Sequence, residues 1–387
     1  MKAFLACVIC ATLLLTAMLP AGMASAETMD KKSSDAKSAI VIEQETGQVL
    51  YQKNANQELP PASMTKVMTL LLIFKALSQH RISLTDKVSV SEHAASMGGS
   101  QVFLEPGETM TVDEMLKAIA IASGNDASVA MAEFVSGSEK EFVKQMNQEA
   151  AQLGLKHTHF ENTTGLPVKN HYTTAHDMAI MAQALAQYKQ VFNYTSKYED
   201  YLRQNTDQKF WLVNTNKLIR SYPGADGMKT GFTNEAKYCL TATAMRKGMR
   251  VIAVVMGAAT PKERNSEIAG LMDQAFATYT TKKVQNKGQV MAHLSVDKGN
   301  PSHLSAVTGK PVVLLIKKGD QTGTIKQKTV LNKNLQAPIK AGTPVGYYEI
   351  SSKGQPLSNT PLVAGENVKR AGWWQLFTRV SVSILTK

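Results

Sequence analysis

The stretch Pro60-Pro61-Ala62-Ser63-Met64-Thr65-Lys66-Val67-Met68-Thr69-Leu70-Leu71-Leu72-Ile73-Phe74 decides how this chain is read. From Ser63 to Leu77 the spacing is helical and free of glycine and proline, which predicts a helix that ends before Arg81. Val67, Met68, Leu70, Leu71 and Leu72 make that helix apolar nearly all round, the mark of a buried helix. A lysine at position 66 is then out of place, because lysine is almost never fully buried without a partner. Ser63 and Lys66 stand three residues apart, so both lie on one helix face with the amine in reach of the hydroxyl. The plain alternative, a surface lysine on an amphipathic helix, sits badly with these neighbours.

Two further short motifs stand downstream. Ser123-Gly124-Asn125 lies between two helical stretches, Val112–Ala122 and Ala127–Val135. Lys229-Thr230-Gly231 directly precedes a strand-like pair, Tyr238–Met245 and Val251–Met256, joined by a turn at Arg246–Arg250. Alternation at Ala39–Ile42 and Val49–Tyr51 around Thr46-Gly47 predicts an N-terminal β-hairpin. Thr174–Leu185 and Lys262–Tyr279 read as helices. Hairpin, helices, strand pair and helix together predict an α+β fold, an antiparallel sheet flanked by helices.

The ends of the chain have another texture. Lys2, an apolar run from Ala3 to Leu19, Pro20 and then Ala24-Ser25-Ala26 read as a cleaved signal peptide over residues 1–26. Cys7 and Cys10 fall inside it, so Cys239 is the single thiol of the mature chain and no internal disulfide is expected. Residues 27–37 are polar and read as a disordered lead-in. After Thr281, short alternating runs at Val290–Leu294, Pro311–Ile316, Thr324–Thr329 and Val345–Ile350 predict a small all-β domain over 281–365, behind a main domain over 27–280. Trp373, Phe377, Val380 and Ile384 recur at helical spacing beside Lys369, Arg370, Arg379 and Lys387. Residues 366–387 therefore read as an amphipathic helix lying in a membrane interface, too short and charged to span it.

With 387 residues and 43% apolar residues the composition is globular, which excludes a wholly disordered chain or a multi-span membrane protein. The net charge of +12 is unevenly placed. Residues 281–365 carry 12 Lys+Arg against 3 Asp+Glu, and residues 27–280 carry 26 against 27. The basic charge thus belongs to the small β-domain and the tail, which fits an anionic membrane surface or wall polymer. Export and a neutral main domain leave no case for nucleic acid.

S-x-x-K, S-x-N and K-T-G in this order resemble the signature of penicillin-binding proteins and serine β-lactamases. The whole pattern is similar to the low-molecular-mass penicillin-binding proteins, the serine-type D-alanyl-D-alanine carboxypeptidases. The resemblance is densest at Pro61–Lys66, Ser123–Ala127, Asn162–Leu166, Tyr172–Met178, Asp226–Thr233 and Val251–Gly257. It implies removal of the terminal D-Ala from the peptidoglycan stem pentapeptide through an acyl-enzyme, and trapping by β-lactam antibiotics. It also implies a β-rich C-terminal domain, a C-terminal anchor and a place on the outer face of the bacterial cytoplasmic membrane, with no metal or cofactor. Arg264 matches a family arginine near the carboxylate pocket. Gly124 stands where the related S-D-N motif has Asp, and Phe232 follows K-T-G at a variable position. Neither departure removes a proposed catalytic group.

The expected roles have a physical basis. A serine hydroxyl is a weak nucleophile until a base takes its proton, and a lysine serves only when neutral. Burial and a second cation, here Lys229, both lower a lysine pKa. Ser123 is placed to relay a proton to the leaving amine. Asn125 either hydrogen-bonds substrate backbone or holds the lysine; as an ordinary loop feature, Asn125 or Asp126 would simply cap the next helix. Lys229 and Thr230, at a strand start, suit a terminal carboxylate, and Gly231 lets substrate backbone approach. The backbone N–H groups of Ser63 and Phe232 are the expected oxyanion hole.

Three other readings stand beside this one. A β-lactamase-type hydrolase needs a glutamate to activate the deacylating water; Glu161 lies at a suggestive distance from Ser63 in sequence but lacks the Glu-x-x-Leu-Asn context. A metallopeptidase would use His157-x-His159 or His171–His176, yet no H-E-x-x-H occurs. A non-catalytic wall-binding scaffold would have had no need to keep all three motifs.

Overall fold

The computed structural model describes residues 35–320, 325–352 and 355–385, so the expected signal peptide lies outside the described residues. The N-terminal hairpin forms as expected. Strand β1 (Ser38–Glu43) pairs antiparallel with β2 (Val49–Lys53), Val41 opposite Tyr51. Helices follow: α1 (Lys66–Ser78), α2 (Val112–Ala120), α3 (Asn125–Ser136), α4 (Glu139–Gln152) and α5 (Ala175–Leu185). Then come β3 (Ala225–Thr233), β4 (Lys237–Arg246), β5 (Met249–Ala258) and helix α6 (Pro261–Thr278). The strands form one antiparallel sheet in the order β2-β1-β5-β4-β3.

Both faces of this sheet are covered, which explains the unbroken apolar runs of β1 and β5. Ile40, Ile42, Ile252, Val254 and Met256 face the core shared with α1 to α5. Ala39, Val41, Val251, Ala253 and Val255 face the other way, onto Ile268, Leu271 and Met272 of α6. The α+β class read from the sequence is the class observed. Helix starts follow side-chain chemistry: Thr111 with Glu114, and Thr260 with Glu263, close capping boxes at α2 and α6, and Thr174 caps α5.

Three local readings need correction. The segment expected as one helix from Ser63 opens with a 3-10 turn, Ala62–Thr65, and becomes α-helical only at Lys66. Lys229-Thr230-Gly231 precedes the strand pair β4–β5 as expected, but it does not start a strand; it lies inside a further strand, β3, at the sheet edge. That strand carries Gly227, Gly231 and a buried lysine where alternating apolar residues would have marked it. Helix α4 was not anticipated, although Phe142, Met146 and Ala150 mark its buried stripe.

The chain continues straight from α6 into β6 (Tyr279–Gln285), followed by β7 (Val290–Ser295), β8 (His303–Thr308), β9 (Val312–Lys317), β10 (Ile325–Leu331), β11 (Pro344–Ser352) and β12 (Gln355–Ala364). Of the expected run Thr324–Thr329, Thr324 lies outside the described residues. The strands form an antiparallel sheet β7-β8-β12-β11-β10, with β6 paired to β9. Leu304, Leu314, Val345, Ile350 and Leu362 pack in a separate core. The β1–β2 turn touches this unit directly: Gln48 Nε2 donates to the Leu357 carbonyl (2.9 Å), and Lys310 Nζ to the Glu45 carbonyl (2.9 Å). Helix α7 (Trp373–Leu385) ends the described chain, with Trp373, Trp374 and Phe377 exposed and Arg379 Nη1 donating to the Gly299 carbonyl (2.7 Å). The side chains of Val380 and Ile384 lie outside the described residues.

One ion pair fixes β3 to its sheet. The ladder slips between Ala225 and Gly227, leaving Asp226 as the extra residue of a bulge. Its carboxylate accepts from Thr243 Oγ1 on β4 (2.6 Å) and Arg250 Nη1 on β5 (2.6 Å), while the Arg250 guanidinium lies 3.8 Å over the Phe192 ring. Removing one partner of such a pair strands the other's charge at low dielectric. Asp226→Ala is expected to lower the unfolding free energy by about 3 kcal/mol in urea titration. Asp226→Ala combined with Arg250→Met is expected to cost less than the single change.

Candidate active site

Lys66 and Lys229 are among the largest fully buried side chains of the described residues. Every residue from Lys66 to Phe74 is buried, so the first turn of α1 is sealed in the core with its lysine. Lys66 Nζ lies 3.1 Å from Ser63 Oγ, 2.6 Å from Asn125 Oδ1 and 2.9 Å from the Thr164 carbonyl oxygen. All three partners are neutral oxygens. Burial, then the nearby Lys229 cation, hold its pKa well below the usual lysine value; Asp126 acts in the other direction.

Asn125 is the hub that brings the second motif to the first. Its Nδ2 donates to the Gly98 carbonyl (2.6 Å) and its backbone N–H to the Ser100 carbonyl (2.7 Å). The ordinary capping role does not apply, since Gly124 is the cap residue of α3 and no side chain caps it. Asp126 instead accepts from the backbone N–H groups of Val102 (2.9 Å) and Leu104 (3.2 Å), tying down the segment beside Asn125. Ser123 is held at φ +67°, and its buried Oγ has no hydrogen-bond partner among the described residues. A buried hydroxyl without a partner calls for a functional account.

The third motif closes the site from the sheet edge. Lys229 is buried, with Nζ donating to the Thr230 carbonyl (3.1 Å). Burial and the Arg264 guanidinium push its pKa down to about 7. Thr230 Oγ1 donates to Thr215 Oγ1 (2.7 Å). Arg264, on the first turn of α6, is 6% exposed and donates through Nε and Nη2 to Asn265 Oδ1 (3.1 and 2.9 Å). Phe232 is half exposed and stacks on Tyr238 with centroids 4.4 Å apart. The close approach that Gly231 permits is taken up by the chain itself. A Cβ there would stand 2.7 Å from the Pro61 carbonyl oxygen and 3.2 Å from the Met64 nitrogen, so β3 lies directly against the turn that carries Ser63.

Several contributors gave no motif. The Thr164 carbonyl acts through backbone, which no residue type announces. The loop that presents it is organised by Asn162, whose Oδ1 accepts from the N–H groups of Thr164 (3.1 Å) and Gly165 (2.7 Å), and the Asn-Thr-Thr-Gly run is the turn signal that marks it. Glu161, the residue weighed for a deacylating water, is exposed and lies 3.5 Å from His159 Nδ1. His157 pairs with Glu58 (3.0 Å), and His159 contacts the Asn170 carbonyl (2.8 Å). Among the described residues no group of three or more His, Cys, Asp or Glu is arranged to hold a metal ion.

Comparison with known proteins agrees with this geometry. Residues 24–260 match the family model of peptidase S11, D-alanyl-D-alanine carboxypeptidase, and residues 279–370 match the penicillin-binding protein 5 C-terminal domain. The chain is 55% identical over 339 residues to the D-alanyl-D-alanine carboxypeptidase DacF of Bacillus subtilis (strain 168), covering 88% of this chain and 87% of that protein. It is 33% identical over 363 residues to DacC of Escherichia coli (strain K12), covering 92% and 90%. The crystal structure of penicillin binding protein 5 from Haemophilus influenzae superposes with a TM-score of 0.71 at 31% identity, over 88% of this chain and 99% of that one. The serine, lysine and asparagine gathered at the head of α1, the K-T-G edge strand and the appended β-domain thus go with one lineage, and the chain belongs to the D-alanyl-D-alanine carboxypeptidase family, peptidase S11.

Proposed function

We propose that this protein is a serine D-alanyl-D-alanine carboxypeptidase that removes the terminal D-Ala from the peptidoglycan stem pentapeptide and is acylated by β-lactams. The contact that carries the reading is Lys66 Nζ at 3.1 Å from Ser63 Oγ, with Asn125 Oδ1 and the Thr164 carbonyl as its other partners. A neutral amine has two N–H donors and one lone pair. Two of the three oxygens can only accept, so the lone pair is left for the Ser63 hydroxyl proton. Ser63 is the nucleophile and Lys66 its base. Ser123, with its unpartnered hydroxyl, passes the proton on to the leaving D-Ala amine. Asn125 holds the lysine in place.

The substrate lies along the free edge of β3 as an added strand. Lys229, Thr230 and Arg264 surround its terminal carboxylate, and the N–H groups of Ser63 and Phe232 receive the oxyanion. Water then hydrolyses the acyl-enzyme. Ser63→Ala is expected to abolish both D-Ala release from a diacyl-D-Ala-D-Ala peptide and covalent labelling by fluorescent penicillin. Labelling that persists in the variant would sink the assignment, and rapid turnover of the penicillin adduct in the wild type would favour a β-lactamase.

The pH profile follows from the two lysines. Lys66 must be neutral, so kcat/KM falls as acid protonates it. Lys229 must be charged to meet a carboxylate, and its pKa in the free enzyme is about 7, so kcat/KM also falls above that pH. The Arg264 charge is one of the two causes of the lowered Lys229 value. Arg264→Gln is therefore expected to move the alkaline limb to higher pH.

Residues 1–26 export the chain, 27–280 form the catalytic unit, 281–365 the small β-domain, and 366–387 anchor the enzyme at the membrane surface from outside. Support comes from the exposed Trp373, Trp374 and Phe377 on α7 and from the basic surplus of residues 281–365. No helix among the described residues is long and apolar enough to cross a membrane. Protein lacking residues 366–387 is expected to lose co-sedimentation with anionic lipid vesicles while keeping penicillin labelling.

A further inference from the structure

The turn that carries Ser63 has an unusual backbone. Ala62, a residue with a side chain, is held at φ +49°, a conformation that persists only where the surroundings over-determine it. Its carbonyl oxygen points inward. It accepts from Thr65 Oγ1 (2.8 Å), and it stands so close to Gly165 that a Cβ there would lie 1.8 Å away. Gly165 itself has φ +84°, so the loop can pass this near only with glycine at that place.

Thr65 is in turn held by a histidine that the catalytic scheme leaves unused. His171 Nε2 lies 2.8 Å from Thr65 Oγ1, and His171 Nδ1 accepts from the Glu161 backbone N–H (3.2 Å). Because Nδ1 is an acceptor, the ring proton of the neutral imidazole sits on Nε2. Burial, with His159 adding to it, holds the His171 pKa down to about 4, so the ring is neutral at ordinary pH. The chain of donors is then fixed: His171 Nε2–H to Thr65 Oγ1, and the Thr65 hydroxyl to the Ala62 carbonyl. The His171 ring is buried edge-on against Phe160 (centroids 5.7 Å apart), which keeps it from turning.

The peptide unit joining Ala62 to Ser63 is planar and trans, so its C=O and N–H point in opposite directions. Pinning the Ala62 oxygen inward therefore aims the Ser63 N–H the opposite way, away from Thr65 and Gly165. We propose that His171 is a positioning residue which, through Thr65, locks the Ala62–Ser63 peptide plane and so pre-sets the Ser63 N–H as an oxyanion donor. It touches neither substrate nor reacting atoms. The inference rests on the reading of Ser63 as the acylated nucleophile. It adds a specific expectation: loss of the chain should slow the acylation step and leave ground-state binding in place.

The test uses the full-length protein and a fluorescent penicillin, with rapid mixing to separate the pre-acylation dissociation constant from the acylation rate constant. His171→Asn keeps an acceptor for the Glu161 N–H and loses the donor to Thr65, and Thr65→Val removes the hydroxyl. Each is expected to slow acylation about tenfold or more, a part of the loss typical for an oxyanion donor, with the dissociation constant within about twofold. The double variant should be no slower than the worse single one, because both cut the same chain. His171→Gln places an amide N–H near the lost Nε2–H and should recover acylation to within about threefold. A boronic acid that forms a tetrahedral adduct on serine should lose affinity by the same factor as the acylation rate. Acylation of His171→Asn within about twofold of wild type would overturn the proposal. An equal loss in His171→Asn and His171→Gln would overturn it too, since packing alone would then explain the effect. Should His171→Asn fail to fold, Thr65→Val alone decides between the same outcomes. If the wild type is neither acylated nor able to release D-Ala, it is the carboxypeptidase reading that fails, before His171 is at issue.

Discussion

A lysine nitrogen sealed in the core beside a serine hydroxyl is the constraint around which this protein is arranged. Removing an ammonium from water is costly, and a buried lysine answers either by pairing with a carboxylate or by giving up its proton. Here the hydrogen-bond partners are the Ser63 hydroxyl, the Asn125 side-chain oxygen and the Thr164 carbonyl, none of them charged. The second buried lysine, Lys229, pushes in the same direction. Much of the remaining architecture keeps this arrangement dry and in place. The apolar wrap of α1, the Asp126 carboxylate that pulls the Val102–Leu104 backbone against Asn125, and the Asn162 turn that presents Thr164 all serve the same nitrogen.

Around that nitrogen the backbone is held from two sides. Gly231 of the edge strand presses on Pro61 and Met64, and Gly165 of the opposite loop presses on Ala62. Neither contact would survive a methyl group. The 3-10 turn between them has little room to relax, which suits the proposed nucleophile, whose hydroxyl and N–H would both face one small volume. The edge strand is anchored in turn by the Asp226–Arg250 pair at its bulge, so the K-T-G residues stand at a fixed height beside the turn.

The sequence was most readable where chemistry resides in side chains. Ser63, Lys66, Asn125 and Lys229 could be singled out because a lysine in an apolar helix, or three short motifs in a fixed order, is rare. The structure brings the first three within hydrogen-bond distance and sets Lys229 close enough to lower the Lys66 pKa. Parts that act through backbone were silent. Nothing in the letters Thr164 says that its carbonyl will bind an amine, and Gly231 suggested room for substrate where the chain's own turn already lies. β3 escaped notice because its inward positions hold a lysine and glycines, the residues that alternation treats as breaks. Helix α4 was passed over for its many charges, although its apolar residues fall on one face. His171 and Thr65 were invisible for a third reason: their meaning depends on contacts across 106 positions of chain.

The strand order of the main sheet also bears on how the molecule comes into being. β1, the first strand made, lies between β2 and the last strand, β5, so Ile40 must find Val254 across a loop of roughly 200 residues. Closing such a loop early is slow, and β5 beside β1 and α6 over one of its faces are the last elements of this domain to be synthesised. The Ser63 turn is caught in the same dependence, because the strand that presses on it, β3, also arrives late. An N-terminal fragment of this domain lacks the strand that braces the Ser63 turn. The braced turn therefore forms together with the sheet, not before it.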